Sequence, residues 1–141
     1  MSKLQPTRRF SEVSVGDELP PRSVDITTRL IVSAAIASRD YQDVHHDKPG
    51  AQALGSPDIF MNILTSNGLV GSYVSEWAGP NALLRAVKIK LGAPNYPGDT
   101  MVLKGRVTAL GEGDEQLVEI EVGGKNSIGY HVTGSVTVAL P

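Results

Sequence analysis

The sequence predicts an α+β fold, in which a curved antiparallel sheet packs against one long helix. Three observations support this fold class. Two segments with helical patterning occupy the first half of the chain, four segments with alternating apolar and polar residues occupy the second half, and glycine-rich turns separate those four segments. Helices that precede a run of consecutive strands are typical of α+β proteins. We treat residues 1–141 as a single domain, because this length supports one hydrophobic core.

The amino-terminal quarter predicts an arm, one or two short strands and a first helix. Residues 1–9 are polar, so we expect a loose arm. Glycine and proline breakers then flank a short extended segment. The first helix is expected to begin after Thr27 or Thr28, whose hydroxyl can accept a hydrogen bond from a free N–H group at the helix start. It should end near Ser38, directly before a polar cluster that continues as a loop to Gly50.

The main helix is predicted within residues 56–79. Ser56 or Asp58 can cap its start, Pro57 suits a first-turn position, and Gly79 stops it. Its expected apolar face consists of Ile59, Ile63, Leu64, Val70, Val74 and Trp77.

The second half of the chain predicts four strands. The segments are LLRAVKIKLG, TMVLKGRVTAL, EQLVEIEVGGKN and YHVTGSVTVAL, and the turns fall at NYPGD, GEGDE and GGKNSIG. His131 lies in the last strand pattern, where we expect a structural or exposed side chain.

Composition excludes several classes of function. The net charge of -2 provides no basic surface for nucleic acid. The absence of cysteine excludes disulfides and thiolate chemistry, and it suits a cytoplasmic location. Apolar runs are too short for a membrane-spanning helix. The chain contains no G-x-S-x-G elbow, P-loop or dinucleotide fingerprint.

The segment RDYQDVHHDKPGAQ, residues 39–52, is the richest in groups that move protons or bind metals. Asp40 and His45 lie five residues apart, which allows both side chains to converge on one point. Histidine titrates near neutral pH, so such a pair can perform acid–base chemistry on water. A metal site needs three or four ligands around the ion, and no recognised zinc spacing is present. A solvated polar loop is the third interpretation, and spacing alone leaves all three open.

The sequence SRDYQDVHHD resembles the hydratase motif S-G-D-x-N-P-[IL]-H-x-D of MaoC-like (R)-specific enoyl-CoA hydratases. Asp40, His45 and Asp47 fall on the motif aspartate, histidine and trailing aspartate. The turn APNYPGDTM is similar to the proline–glycine–aspartate turn of that family. The order of elements matches the hotdog fold, in which the sheet wraps around a central helix. The resemblance covers nearly the whole chain.

This resemblance implies a function and a set of site residues. The catalytic pair is expected to be Asp40 and His45, and the substrate-binding residues Gln42, Asn62 and Ile63. Gln42 stands where the family has asparagine, and Asn62 stands where it has a glycine whose backbone N–H binds the thioester oxygen. Neither a metal nor a cofactor is implied, since the substrate is itself a coenzyme A thioester.

The segments DIFMNILTSNGLV and WAGP resemble one branch of the family, the heteromeric hydratases of steroid side-chain degradation. This implies a steroid enoyl-CoA as substrate and a β-hydroxyacyl-CoA as product. It also implies a partner chain that contains a second MaoC-like domain and a zinc-ribbon/OB-type domain, in a heterodimer or heterotetramer. The alternatives are a homodimeric (R)-specific hydratase of fatty enoyl-CoAs, a hotdog thioesterase, and a non-catalytic structural subunit of a MaoC-type complex.

Overall fold

The computed structural model describes residues 5–111 and 113–141, and its largest element is a five-stranded antiparallel sheet. The strands are β1 (Glu18–Asp25), β2 (Leu83–Leu91), β3 (Thr100–Leu110), β4 (Leu117–Lys125) and β5 (Tyr130–Ala139). Their spatial order is β1-β3-β4-β5-β2, so β1 and β2 form the two edges. The alternating patterns therefore predicted the four later strands correctly, and one strand precedes the first helix.

The described residues form three α-helices, of which α3 packs against the strands. They are α1 (Thr28–Ala37), α2 (Lys48–Ala53) and α3 (Ile63–Ala78). As predicted, α1 begins after Thr27, whose hydroxyl oxygen accepts a hydrogen bond from the N–H of Leu30 at 3.0 Å. The predicted stop at Gly79 is also confirmed, since α3 ends there at a φ of 98°. None of the helices in the described ranges is long and apolar enough to cross a membrane.

The core lies between α3 and one face of the sheet. Val70, Val74 and Trp77 are on the buried side of α3. Alternate residues of the central strands join them in one cluster: Met101, Leu103, Val107, Val118, Ile120, Val122, Val136 and Val138. Fully burying a side chain of this size contributes about 1.5–3 kcal/mol to folding. This packing of a long helix on an antiparallel sheet confirms the predicted fold class.

The start of α3 differs from the prediction. Asn62 caps the helix, since its side-chain oxygen accepts from the N–H of Thr65 at 2.9 Å, whereas Ser56 and Asp58 lie before it. The intervening backbone finds its partners elsewhere: the N–H of Phe60 donates to Val44 and the N–H of Met61 donates to Asn95. These contacts with distant loops hold the segment out of the helix, although its local sequence is typical of a cap.

Two further expectations need correction. The polar cluster was expected to remain a loop through Gly50, but α2 begins at Lys48. The arm over residues 1–9 was expected to be loose, but Arg8 donates its backbone N–H to Ala78 and its Nε to the carbonyl of Trp77. Its guanidinium also lies 4.8 Å from the centre of the Trp77 ring. Residues 1–4 of that arm lie outside the described residues.

Candidate active site

The loop that follows α1 brings Asp40 and His45 together. Oδ2 of Asp40 lies 3.2 Å from Nε2 of His45. His45 is buried, with 6% of its surface exposed, whereas the Asp40 side chain keeps 19% exposure. The pair therefore sits at the edge of the protein interior, where a small molecule can still reach the carboxylate.

The end of α1 sets the direction of Asp40. The N–H of Asp40 donates to the carbonyl of Ala35, and the N–H of Arg39 donates to that of Ile36. These two bonds form a Schellman motif, in which the residue after the helix cap adopts a left-handed conformation. That residue is Arg39, with a φ of 57°. Glycine is the usual residue here, so this chain accepts backbone strain directly beside its candidate acid–base group.

His45 is oriented by a segment far along the chain. Its Nδ1 lies 2.6 Å from the carbonyl oxygen of Phe60, and the Phe60 ring packs edge-on against the imidazole at 5.1 Å. A carbonyl only accepts hydrogen bonds, so Nδ1 carries a hydrogen. Nε2 is the atom that remains to exchange a proton, and it faces the Asp40 carboxylate.

Asn62 connects the pair to α3. Its side-chain nitrogen donates to Oδ2 of Asp40 at 3.1 Å and to the hydroxyl of Ser38 at 3.0 Å, while its oxygen caps the helix. Only 2% of Asn62 is exposed. Its side chain is thus committed to holding Asp40 and the helix start, a role that the spacing in the sequence did not reveal.

The first turn of α3 presents free hydrogen-bond donors beside the pair. The N–H groups of Asn62, Ile63 and Leu64 have no acceptor among the described residues, as expected at a helix start. The N–H of Met61, just before the cap, is bonded to the carbonyl of Asn95 at 3.1 Å. Negative charge is favoured at a helix N-terminus, so the N–H groups of Asn62, Ile63 and Leu64 are the available anion-binding positions.

Gln42, which was predicted to bind substrate, contacts Asp40 through its backbone N–H, which lies 3.4 Å from Oδ1. Gln42 is exposed, and its side chain makes no hydrogen bond in the part of the chain that the structure describes. His46 and Asp43 form a separate exposed pair at 3.7 Å. Within residues 5–111 and 113–141, no three histidine, aspartate or glutamate residues cluster closely enough to hold a metal ion.

His131 had no assigned chemistry in the sequence, yet it is the second buried histidine of the structure. Only 2% of it is exposed, and its Nε2 lies 2.7 Å from the hydroxyl of Ser66 on α3. Burial lowers the pKa of His131 below its ordinary value of 6.5. The two residues are separated by 65 positions in the chain, so no local pattern points to their contact.

Known proteins resemble this chain in sequence and in structure. No protein-family model matches it. The 3-oxo-4,17-pregnadiene-20-carboxyl-CoA hydratase beta subunit of Mycobacterium tuberculosis is 47% identical over 126 residues, which cover 89% of this chain and 95% of that protein. A crystal structure of the ChsH1-ChsH2 complex from Mycobacterium tuberculosis includes a chain with 46% identity and a TM-score of 0.86, covering 91% of this chain and 98% of that one.

More distant structures agree on the fold. The R-hydratase PhaJ1 from Pseudomonas aeruginosa has a TM-score of 0.84 at 19% identity, over 94% of this chain and 85% of that one. The (R)-hydratase from A. caviae has a TM-score of 0.82 at 21% identity, over 92% and 98%. These similarities confirm the predicted hotdog fold.

Proposed function

Because the chain belongs to the family of the 3-oxo-4,17-pregnadiene-20-carboxyl-CoA hydratase beta subunit, a branch of the MaoC-like enoyl-CoA hydratases, we propose that it is the subunit of an enoyl-CoA hydratase that carries the acid–base pair. It adds water to the α,β-double bond of a steroid side-chain enoyl-CoA and gives a β-hydroxyacyl-CoA. The observation that carries this proposal is the 3.2 Å contact between Asp40 and His45.

The pair matches the proton transfers of hydration. Nε2 of His45 and Oδ2 of Asp40, which lie 3.2 Å apart, are both acceptors unless one of them carries a proton, and the proposed reaction begins with that proton on Nε2. Asp40 accepts a proton from water as the water oxygen bonds to the β-carbon. His45 donates its Nε2 proton to the α-carbon. Proton transfer from Asp40 to His45 then restores the pair, and only water has been consumed.

The first turn of α3 suits the charge that develops in this reaction. Attack on the β-carbon moves negative charge onto the thioester oxygen. The N–H groups of Ile63 and Leu64 lie at the positive end of a 16-residue helix and are free to donate to that oxygen. The proposed reaction balances with water alone, so it requires neither a metal nor another cofactor. We also propose that the enzyme acts in the cytoplasm.

We further propose that the active enzyme contains a partner chain with a second MaoC-like domain and a zinc-ribbon/OB-type domain, in a heterodimer or heterotetramer. Similarity to a chain solved in the ChsH1-ChsH2 complex supports this assembly. So does the edge strand β2, which pairs only with β5 in the described chain and exposes Leu83, Leu84 and Leu91. Exposed apolar edge strands are typical of surfaces that another chain covers.

The test measures hydration of a steroid enoyl-CoA by the assembled complex. The reaction is monitored as the decrease in the absorbance of the conjugated thioester. Asp40→Asn and His45→Gln should each reduce turnover on the order of 10²–10⁴-fold, as expected for a general acid–base group. The same loop supplies matched controls, since Asp43→Asn and His46→Gln change an exposed pair and should leave turnover unchanged. A folded Asp40→Asn complex with full turnover contradicts the assignment.

Comparison of substrates separates the other functions. Hydration of crotonyl-CoA by this chain without a partner indicates a homodimeric (R)-specific hydratase of fatty enoyl-CoAs. Release of free coenzyme A indicates a thioesterase. Full activity of a complex that carries both Asp40→Asn and His45→Gln indicates a non-catalytic structural subunit.

A further inference from the structure

Ser66 and His131 are buried polar residues to which the proposed acid–base chemistry assigns no role. Ser66 is fully buried and His131 is 2% exposed. Burying a polar group is unfavourable unless it is hydrogen-bonded. Ser66 and His131 would therefore destabilise the fold if their polar atoms lacked hydrogen-bond partners. Both are satisfied here, and their bonds connect α3 to β5 and to the segment that follows β2.

The hydrogen-bond partners fix the tautomer of His131. Its Nδ1 lies 2.7 Å from the carbonyl oxygen of Ala93, which can only accept, so Nδ1 carries the hydrogen. Nε2 of the neutral ring is then an acceptor, and the Ser66 hydroxyl donates to it at 2.7 Å. The strand end that holds His131 is itself fixed, because the N–H of Gly92 donates to the His131 carbonyl.

Ser66 transmits this anchor to the candidate active site. It lies in the first turn of α3, and its N–H donates to the carbonyl of Asn62, the cap residue, at 3.3 Å. The Ser66 hydroxyl lies 3.3 Å from the same carbonyl. The side chain of Asn62 in turn donates to Asp40. A continuous series of contacts therefore runs from the sheet, through the helix start, to the proposed proton acceptor.

We propose that Ser66 and His131 are positioning residues of the hydratase, which hold the first turn of α3 in place against the Asp40–His45 pair. This inference rests on the proposed function. The two residues touch neither water nor thioester in the proposed reaction. They fix the relative positions of the acid–base pair and the free N–H groups that receive the developing negative charge. Misplacement of reacting groups by about 1 Å can reduce a rate about 100-fold.

The activity test uses the complete complex and a steroid enoyl-CoA. Ser66→Ala removes the hydroxyl and keeps a good helix former, so the chain should fold. We expect kcat to fall about 10- to 100-fold with little change in KM, because positioning acts on the transition state. Ser66→Thr retains a hydroxyl and should recover most of kcat. Ser75→Ala, at an exposed serine of the same helix, is the control and should match the wild type.

The second readout is the ¹⁵N resonances of His131 in complexes that contain labelled histidine. The wild type should show the Nδ1–H tautomer, and Ser66→Ala should shift the Nε2 resonance because that nitrogen loses its donor. An Nε2–H tautomer, or an Nε2 resonance unchanged in Ser66→Ala, overturns the assigned pair.

The kinetic outcomes distinguish this inference from the proposed function. Full kcat in Ser66→Ala, or a Ser66→Thr complex as slow as Ser66→Ala, overturns the positioning role and leaves the proposed function standing. A wild-type complex that hydrates no enoyl-CoA overturns the proposed function, and the positioning role with it.

Discussion

At the scale of single residues, the two buried histidines, His45 and His131, are oriented by the same kind of hydrogen bond but have different surroundings. Each has Nδ1 against a backbone carbonyl, of Phe60 for His45 and of Ala93 for His131. Nε2 of His45 faces a partly exposed carboxylate, whereas Nε2 of His131 faces a buried hydroxyl. Both rings carry a hydrogen on Nδ1, and Nε2 is therefore placed for proton exchange in His45 and for fixed support in His131.

The lowered pKa of His131 predicts a stability that depends on pH. Burial disfavours the charged ring, so the unfolded chain binds a proton more readily than the folded chain below the ordinary pKa of 6.5. The stabilising contribution is complete well above pH 6.5 and is lost as pH falls below it, by at most about 1.4 kcal/mol per pH unit for one proton. Urea unfolding of the wild type and His131→Asn between pH 8 and pH 5 measures the difference.

His131→Asn should lower stability at pH 8, where the neutral ring makes both its hydrogen bonds. Its loss on acidification should be smaller than that of the wild type, because the titrating group is gone. His46→Asn, at an exposed histidine, should keep the wild-type dependence on pH. Parallel curves for the wild type and His131→Asn would show that another group causes the acid sensitivity.

At the scale of elements, the end of α1 holds a non-glycine residue in a strained backbone conformation. Arg39 occupies the left-handed position of the Schellman motif that directs Asp40. Arg39→Gly should raise the free energy of unfolding by about 1 kcal/mol, because glycine adopts a positive φ without steric cost. Chemical denaturation of the chain measures this gain.

Arg29→Gly provides the matched control for that substitution. Arg29 is an exposed residue of the same helix with a right-handed conformation, where glycine costs up to about 1 kcal/mol. The same change of residue type should therefore have opposite signs at the two positions. If Arg39→Gly destabilises the chain as Arg29→Gly does, side-chain contacts of Arg39 outweigh its backbone strain.

The elements also show what a sequence can reveal and where it stops. Periodicity identified the strands of the second half, and residue type identified Thr27 as a candidate cap of α1, because these features depend on neighbouring residues. Ser56 and Asp58 were wrong as caps of α3, because the N–H groups of Phe60 and Met61 bond to residues distant in the chain. The Ser66–His131 contact was missed for the same reason, whereas the spacing of Asp40 and His45 within one loop made their approach predictable.

At the scale of the whole molecule, one face of the sheet is covered by α3, and the β2 edge exposes apolar side chains. The face that carries α3 is covered, but β2 exposes 53% of Leu83, 46% of Leu84 and 37% of Leu91. The start of α3 adds Ile63 and Leu64, each 52% exposed, although both were predicted to lie on the buried face of the helix. Ile63 and Leu64 thus continue the apolar pattern of the helix, but the described residues of this chain do not bury them.

The proposed partner provides that cover, and a charge on β2 tests it. Leu83→Lys places a lysine on the edge strand, where lysine is known to block pairing with another chain. We expect affinity for the partner chain to fall about tenfold or more, equivalent to about 1.4 kcal/mol, while the circular dichroism of this chain stays unchanged. Sedimentation of mixtures over a range of concentrations measures the affinity.

Val15→Lys alters an equally apolar residue, 60% exposed and away from β2, and should bind normally. If Leu83→Lys binds the partner chain as tightly as the wild type does, the partner binds another surface. If Leu83→Lys and Val15→Lys lose the same affinity, the change in net charge causes the loss.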